Sequence, residues 1–340
     1  MPDKRFPFAS LTETLESILT GLGFSDSRAQ RIARIFVENN RDGVMSHGLN
    51  RFPRFVGDVQ GGYIDPEASP VCMASLGALE QWDGRLGPGL LNAEFAMQRA
   101  IDLSKTHGVG CVGLRNTNHW MRAGYYGWQA AKAGCVAMCW TNTEPNMPAW
   151  GGKDGRIGNN PMVMAIPRPG GHVVLDMAMS QFSYGKLEIT QQAGQQLPIP
   201  GGFNAQGQLT TDPGEIQQTR RVIPIGYWKG SALSIALDMA AALLSGGEAT
   251  YQIGQRDVET NLSQVYLCID AERLTAGNES DFLNTIIDDL HRAIPASEQD
   301  RIYYPGERTL ETRRYNEEHG IPVNEETWNT IQGLAKEINK

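Results

Sequence analysis

Cysteine is scarce: five residues, at positions 72, 111, 135, 139 and 268, in a chain of 340. That number and spacing exclude a disulfide framework and a CxxC zinc site, and no metal is expected. A reducing, cytoplasmic setting fits such usage. Cys135 and Cys139 stand four apart in an apolar run and read as small buried hydrophobes. Positive charge is also short, with 30 Lys plus Arg against 38 Asp plus Glu, a formal net charge of −8. Phosphate backbones and anionic headgroups are gripped by basic stripes, so neither nucleic acid nor a membrane surface is an expected partner. No window approaches the ~18 consecutive apolar residues of a membrane span. The opening MPDKRFPFASLTETLE is acidic early and has no long apolar stretch, so no secretory leader is expected. GxxxxGK[ST], HExxH and GxSxG are all missing, which removes three familiar routes to phosphate, zinc and serine chemistry.

What is present suits a folded α/β protein. Apolar residues make up 41% and charged residues 20%, enough to build a core and too little charge for wholesale disorder. Ser10-Leu11-Thr12-Glu13 predicts a capping box, with Leu11, Leu15, Ile18, Leu19 and Leu22 following at helical spacing to Gly23. A second helix is predicted from about Ser25–Ser27 to Asn40. A sharp corner at Ser46-His47-Gly48 follows, then a third helix with Phe52, Phe55, Val56 and Val59 inward and Pro53 in its first turn. From about residue 70 strands alternate with helices: VCMASL, LEQW, a helix over 90–106, GVGCVGL, a helix over 122–133, CVAMCWTN, PMVMAIP, HVVLDM, helices near 231–245 and 280–294, and QVYLCID. Two polar helices, broken at Gly320-Ile321-Pro322, close the chain. Residues 1–70 therefore read as an N-terminal helical segment and 71–305 as a central α/β region. Residues 306–340 read as helices packing back on the N-terminal layer. The Gln-, Gly- and Pro-rich stretch 190–222 reads as an extended surface excursion.

Gly108-Val109-Gly110-Cys111-Val112-Gly113 matches GxGxxG letter for letter, yet its context is reversed. The dinucleotide fingerprint needs a strand before the glycines and a helix after them, whose first amides face the pyrophosphate. Here a helix ends at His107-Gly108 and a strand follows, so Gly108 reads as a helix C-cap.

Polar chemistry concentrates at two short corners, Ser46-His47-Gly48-Leu49-Asn50-Arg51 and Arg115-Asn116-Thr117-Asn118-His119-Trp120-Met121-Arg122. If the first is helical, His47 and Arg51 share one face a turn apart. An Arg fork could then hold a carboxylate while an imidazole delivers a proton to a nearby oxygen. The plainer reading is a helix cap and a surface Arg; for His119 it is a histidine packed beside Trp120. Lys229, where an apolar helix begins, is placed either for an anion or simply in solvent.

SHGLNRFPRF, RNTNHW with AGYYGWQAA, GNNP, LDMAMSQFSYGK and IPIGYWKG occur in this order over nearly the whole chain. Together they resemble the type 2 malate/lactate dehydrogenase family, most of all its 2,3-diketo-L-gulonate reductase branch. The resemblance implies a non-Rossmann mixed sheet with helices on both faces plus an N- and C-terminal helical layer. It also implies a homodimer and NADH-dependent reduction of a 2-oxo sugar acid, with NADPH as the alternative cofactor. Related 2-oxo acids of the malate/lactate type, a cyclic imino acid and ureidoglycolate remain open as substrates, as does a sugar-acid binder without catalysis. Carried over to this chain, His47 becomes the proton donor, with Ser46, Arg51, Asn118 and His119 at the substrate. Some family members use the residue equivalent to His119 as the acid/base. The implied cofactor segments are His172, Val173, Val174, Leu175, Asp176, Met177 and Ala178, then Trp228 and Lys229, then Gly306, Glu307 and Arg308. Glu307-Arg308 departs from the branch, where His-Glu is expected.

Overall fold

A short strand, β1 (Lys4–Phe6), runs straight into α1 (Phe8–Gly21), followed by α2 (Asp26–Arg41) and α3 (Phe52–Gln60). This computed structural model describes residues 4–275, 279–297 and 301–338. Pro7, extended at φ −61° and ψ 145°, is the residue before α1, so the helix starts earlier than a Ser10 cap would allow. The predicted capping box is therefore not formed: Ser10 Oγ donates back to the Pro7 carbonyl at 3.0 Å. Pro53 falls in the first turn of α3, as its missing N–H requires.

The centre is a mixed sheet of seven strands. In chain order these are β2 (Val71–Leu76), β3 (Leu79–Asp83), β4 (Val109–Thr117), β5 (Cys135–Thr141), β6 (Met162–Ile166), β7 (Val173–Met177) and β8 (Leu262–Asp270). Their order across the sheet is β2-β3-β4-β8-β5-β6-β7, with β3 and β4 parallel and every other pair antiparallel. Strand alternation sends Val112, Leu114, Cys135, Ala137, Cys139, Tyr266 and Cys268 to one face. There they pack on α4 (Gly89–His107) and α5 (Gly124–Lys132). Trp140 and Val265 face the other side, toward Leu237 and Ala241 of α8 (Trp228–Ser245).

Gly108, at φ 84°, ends α4 as a left-handed cap, and β4 follows it. The other two glycines of the GxGxxG match serve close packing. A Cβ on Gly110 would lie 2.1 Å from the Ala100 carbonyl oxygen, and one on Gly113 would lie 2.3 Å from that of Leu244. The stretch 190–222 is not an extended excursion. It holds the end of α6 (Tyr184–Gln192), a small hairpin at Gly202–Phe203 and Leu209–Thr210, and α7 (Pro213–Thr219). Leu197, Ile216 and Val222, with Leu187 of α6, are buried in the same cluster as Trp140, Leu237 and Val265, which the surplus of polar residues hid.

After α8 and β8 come α9 (Glu279–His291), α10 (Glu307–His319), a strand β9 (Ile321–Val323) and α11 (Glu325–Ile338). β9 pairs antiparallel with β1, and Ile321, Val323 and Ile331 join Leu11, Leu15, Phe36, Phe52 and Phe55 in one core. The chain's two ends thus form one layer. Among the described residues no helix is long and apolar enough to cross a membrane.

Candidate active site

The layer of chain ends meets the sheet along a cleft of about 1180 Å³, above the ~300–1,000 Å³ of a pocket for one drug-sized ligand. His47 reaches it from an unusual corner. Two 3₁₀ turns, Met45–His47 and Leu49–Arg51, are separated by Gly48 at φ −102° and ψ −134°. His47 and Arg51 therefore do not share a helical face, which corrects the expectation drawn from their spacing. Both nevertheless line the cleft. The corner is held from behind by two buried asparagines at the end of α2 that sequence reading passed over. Asn39 Nδ2 donates to the His47 carbonyl at 3.0 Å. Asn40 Oδ1 accepts from the Leu49 amide at 3.0 Å, while its Nδ2 donates to the Pro322 carbonyl at 2.7 Å. A Cβ at position 48 would sit 2.5 Å from Asn40 Oδ1, so the close approach requires glycine.

His119 comes from the loop between β4 and α5. Its ring stacks on that of His47, with centroids 5.6 Å apart and planes 15° apart. The Met121 amide donates to His119 Nδ1 at 2.9 Å, which places the proton of the neutral ring on Nε2. Met121 pays for this with a left-handed backbone, φ 63°. Ser46 Oγ lies 3.1 Å from His47 Nδ1. Burial, with Arg51 and then Arg122 adding positive charge, pushes His47 down from 6.5 to about 4. The same forces, burial first and then Arg51, hold His119 well below the usual range. Both rings are thus neutral near pH 7.

Arg51 is half-buried and, among the described residues, takes no ion-pair partner. Burial and the neighbouring Arg54 lower its affinity for its proton, while Glu259, Asp58 and Glu144 act against them from a distance. An unpaired, partly desolvated guanidinium is a ready carboxylate receptor. Asn118 stands deeper, and its amide nitrogen is spent on the Tyr63, Leu86 and Gly87 carbonyls at 3.2, 2.9 and 3.1 Å. It ties the His119 loop to the scaffold.

Of the third wall, Val174, Leu175, Asp176, Met177 and Ala178 line the cleft, facing Gly306. Asp176 Oδ2 accepts from the Gly124 amide at 2.9 Å, the first residue of α5. Burial pushes the Asp176 carboxyl up, against the pull of Arg122 and that amide. His172 and Val173 lie outside the lining; His172 Nδ1 accepts from the Arg168 amide at 3.1 Å and shapes a turn. Glu307 faces away, accepting from the Tyr304 amide and pairing with His291. Arg308 lies over the Tyr303 ring, 4.4 Å from its centroid. Trp228 and Lys229 are exposed at the start of α8 and do not line this cleft.

Asp42, another residue the sequence did not single out, closes the back of the site. Arg122 and Arg313 donate to it at 2.7 Å and Arg41 at 3.0 Å, and it is almost fully buried. Burial alone would raise its carboxyl, yet the hydrogen bonds from Arg313 and the surrounding guanidinium charges hold it below the usual range. The cluster joins α2, the His119 loop and α10 at one point.

Residues 6–332 match the family described as malate/L-lactate dehydrogenase. A 2,3-diketo-L-gulonate reductase of Citrobacter koseri is 44% identical over 329 residues, 96% of this chain and 99% of that one. One of the same name from Klebsiella pneumoniae shows the same 44% identity and coverage, 96% of this chain and 99% of that one. The sulfolactate dehydrogenase of Methanocaldococcus jannaschii superposes with a TM-score of 0.90 at 26% identity, covering 99% of this chain and 98% of that one. The delta1-piperideine-2-carboxylate reductase of Pseudomonas syringae pvar. tomato gives 0.85 at 26% identity, covering 97% and 99%. The motifs, the fold and these likenesses agree: the chain belongs to the malate/L-lactate dehydrogenase family and is an oxidoreductase of CH–OH and C=O groups that works with a nicotinamide cofactor.

Proposed function

We propose that the protein reduces the C2 ketone of 2,3-diketo-L-gulonate to 3-dehydro-L-gulonate, with NADH as reductant. The observation that carries this reading is Arg51, a guanidinium that among the described residues makes no ion pair, beside two stacked neutral imidazoles. Arg51 takes the substrate carboxylate in a planar fork and so turns C2 and its oxygen toward the imidazoles. Burial holds His47 down first and the Arg51 charge second; pairing with the carboxylate cancels the second, so the ring gains proton affinity as substrate binds.

His47 is the proton donor in this reading, for a reason of hydrogen-bond sense. A doubly protonated His119 would aim Nδ1–H at the Met121 N–H that it now accepts from. A doubly protonated His47 meets Ser46 Oγ instead, which accepts as readily as it donates. His119 then serves as a neutral Nε2–H donor to the same oxygen. A positioned acid of this kind is worth roughly 10²–10⁴-fold in rate.

The nicotinamide, when bound, supplies the hydride. The residues present suit such a group. Asp176 Oδ2 accepts from Gly124 and Oδ1 takes no hydrogen bond among the described residues, so it can accept from ribose hydroxyls. A 2′-phosphate there would face a carboxylate, which favours NADH over NADPH. Arg122 is shared between two carboxylates, hydrogen-bonded to Asp42 at 2.7 Å and 3.7 Å from Asp176 Oδ2, so its charge is already engaged by protein groups.

A homodimer completes the proposal. α8 buries Ser231, Ser234, Leu237, Ala241 and Ser245 on the sheet yet leaves Leu233, Ile235, Met239 and Leu243 exposed. A helix apolar on both faces calls for a cover on the outer one.

The test is His47→Gln, assayed by NADH oxidation with NADH binding followed by fluorescence. A fall in turnover of about 10²-fold or more with binding intact is expected. Near-native turnover would move the role to His119.

A further inference from the structure

Beside Arg51 and His119 the wall of the cleft holds a pinched recess of about 10 Å³, the room of a single water, lined by Arg51, Arg54, Asp58, His119 and Glu259. Glu259 sits on the loop before β8 and lines both the recess and the wider cleft. No motif pointed to it. Its Oε1 accepts from the Glu144 amide at 3.1 Å, which fixes the carboxylate in place, while Oε2 takes no hydrogen bond among the described residues. It is half-buried, whereas Arg54 across the recess is exposed and water-screened. With Arg51 engaged by one carboxylate, whatever the substrate carries along this wall of the cleft meets a fixed acceptor; of the other cations lining the cleft, Arg54 is water-screened and Arg122 and Arg220 are paired with Asp42 and Glu144.

We propose that Glu259 is a specificity-determining residue, selecting 2-oxo acids with one carboxylate and a hydroxylated tail and rejecting those with a second anionic group. Hydroxyls donate to the fixed carboxylate, while a second carboxylate or a sulfonate is repelled at short range and low dielectric. The inference rests on Arg51 as the carboxylate partner, and it names the physical difference between a polyhydroxy substrate and the dianions of malate- or sulfolactate-type chemistry.

The experiment compares wild type, Glu259→Gln and Glu259→Asp in two ways. Steady-state reduction is measured for 2,3-diketo-L-gulonate and for oxaloacetate. Binding of oxamate and of hydroxymalonate, one and two carboxylates without turnover, is titrated by calorimetry on the enzyme–NADH complex. Glu259→Gln should shift both ratios toward the dianion by about tenfold or more, through KM rather than kcat, because the isosteric amide removes the charge and keeps the shape. Glu259→Asp should retain the wild-type ratios. Unchanged ratios in Glu259→Gln overturn the assignment, as does an equal loss of all ligands in both variants, which would mark a structural role. A wild type that never reduces the diketo acid would overturn the proposed substrate instead, and the binding ratio would still decide the role of Glu259.

Discussion

Arg51 and His47 act on each other through charge, so each substitution reads out the other. In Arg51→Lys an ammonium replaces the planar fork. KM for the oxo acid should rise about tenfold, since a charge-assisted hydrogen bond is worth roughly 1.5–3 kcal/mol, with a smaller change in kcat. An unchanged KM would remove Arg51 from the carboxylate. Protons also link to stability here. His47 titrates at 6.5 when exposed and at about 4 when folded, so between these values the unfolded chain binds a proton the folded one refuses. Stability therefore rises with pH across that window and is lost on acidification. His119, held low by burial, has the same sign, and so has Asp42, whose depressed carboxyl loses its guanidinium partners when protonated. Urea midpoints should fall from about pH 7 to about pH 4.5, and His47→Gln should flatten part of that slope. Asp176 and Glu259, whose carboxyls burial pushes up, act with the opposite sign, so the deciding comparison is between the two proteins: a slope unchanged in His47→Gln would contradict the buried neutral His47. The sequence shows His47, Arg51 and His119 as candidates because each stands in a polar corner. It does not show that two of them stack, because the two corners are far apart in the chain and meet only when α2 packs beside the sheet.

Helices and strands were legible wherever period and punctuation agreed. The helix ending at Gly108 and the strand after it are one such case, and they take the GxGxxG match out of the strand–turn–helix context of the dinucleotide fingerprint. Close packing explains those glycines. In Gly113→Ala the new Cβ would lie 2.3 Å from the Leu244 carbonyl oxygen, a backbone atom that cannot step aside. A loss of roughly 1–3 kcal/mol is expected from urea unfolding, with β4 and α8 forced apart. Stability within error of wild type would mean that α8 shifts freely. Elements decided by long-range partners were misread. Ser10 looked like a cap, but Pro7 and the β1–β9 pairing set the start of α1. The His47 corner was legible as a sharp turn, but a helix running from His47 to Arg51 does not form, because Asn40 holds Gly48 close between two 3₁₀ turns.

At the scale of the whole molecule, the cleft exists because the first and last segments of the chain share one core and lie against the sheet. The outer face of α8 is an exposed apolar surface. Met239 and Leu243 are 67% and 79% exposed, so charging them should leave the fold intact and break a dimer assembled there. Light scattering on Met239→Glu/Leu243→Glu should report a monomer where wild type is a dimer; a wild-type monomer, or a dimer that survives the change, would place the contact elsewhere. Local chemistry in the sequence determined the α/β class, the helical ends, the rejection of the glycine motif and the family, because periodicity, caps and ordered motifs are written in neighbouring residues. Tertiary structure alone decided the neutral imidazole pair, the Asp42 cluster and the place of Glu259. Burial and the company of distant charges set what a titratable group does, and neither is a property of the residue's neighbours in the chain.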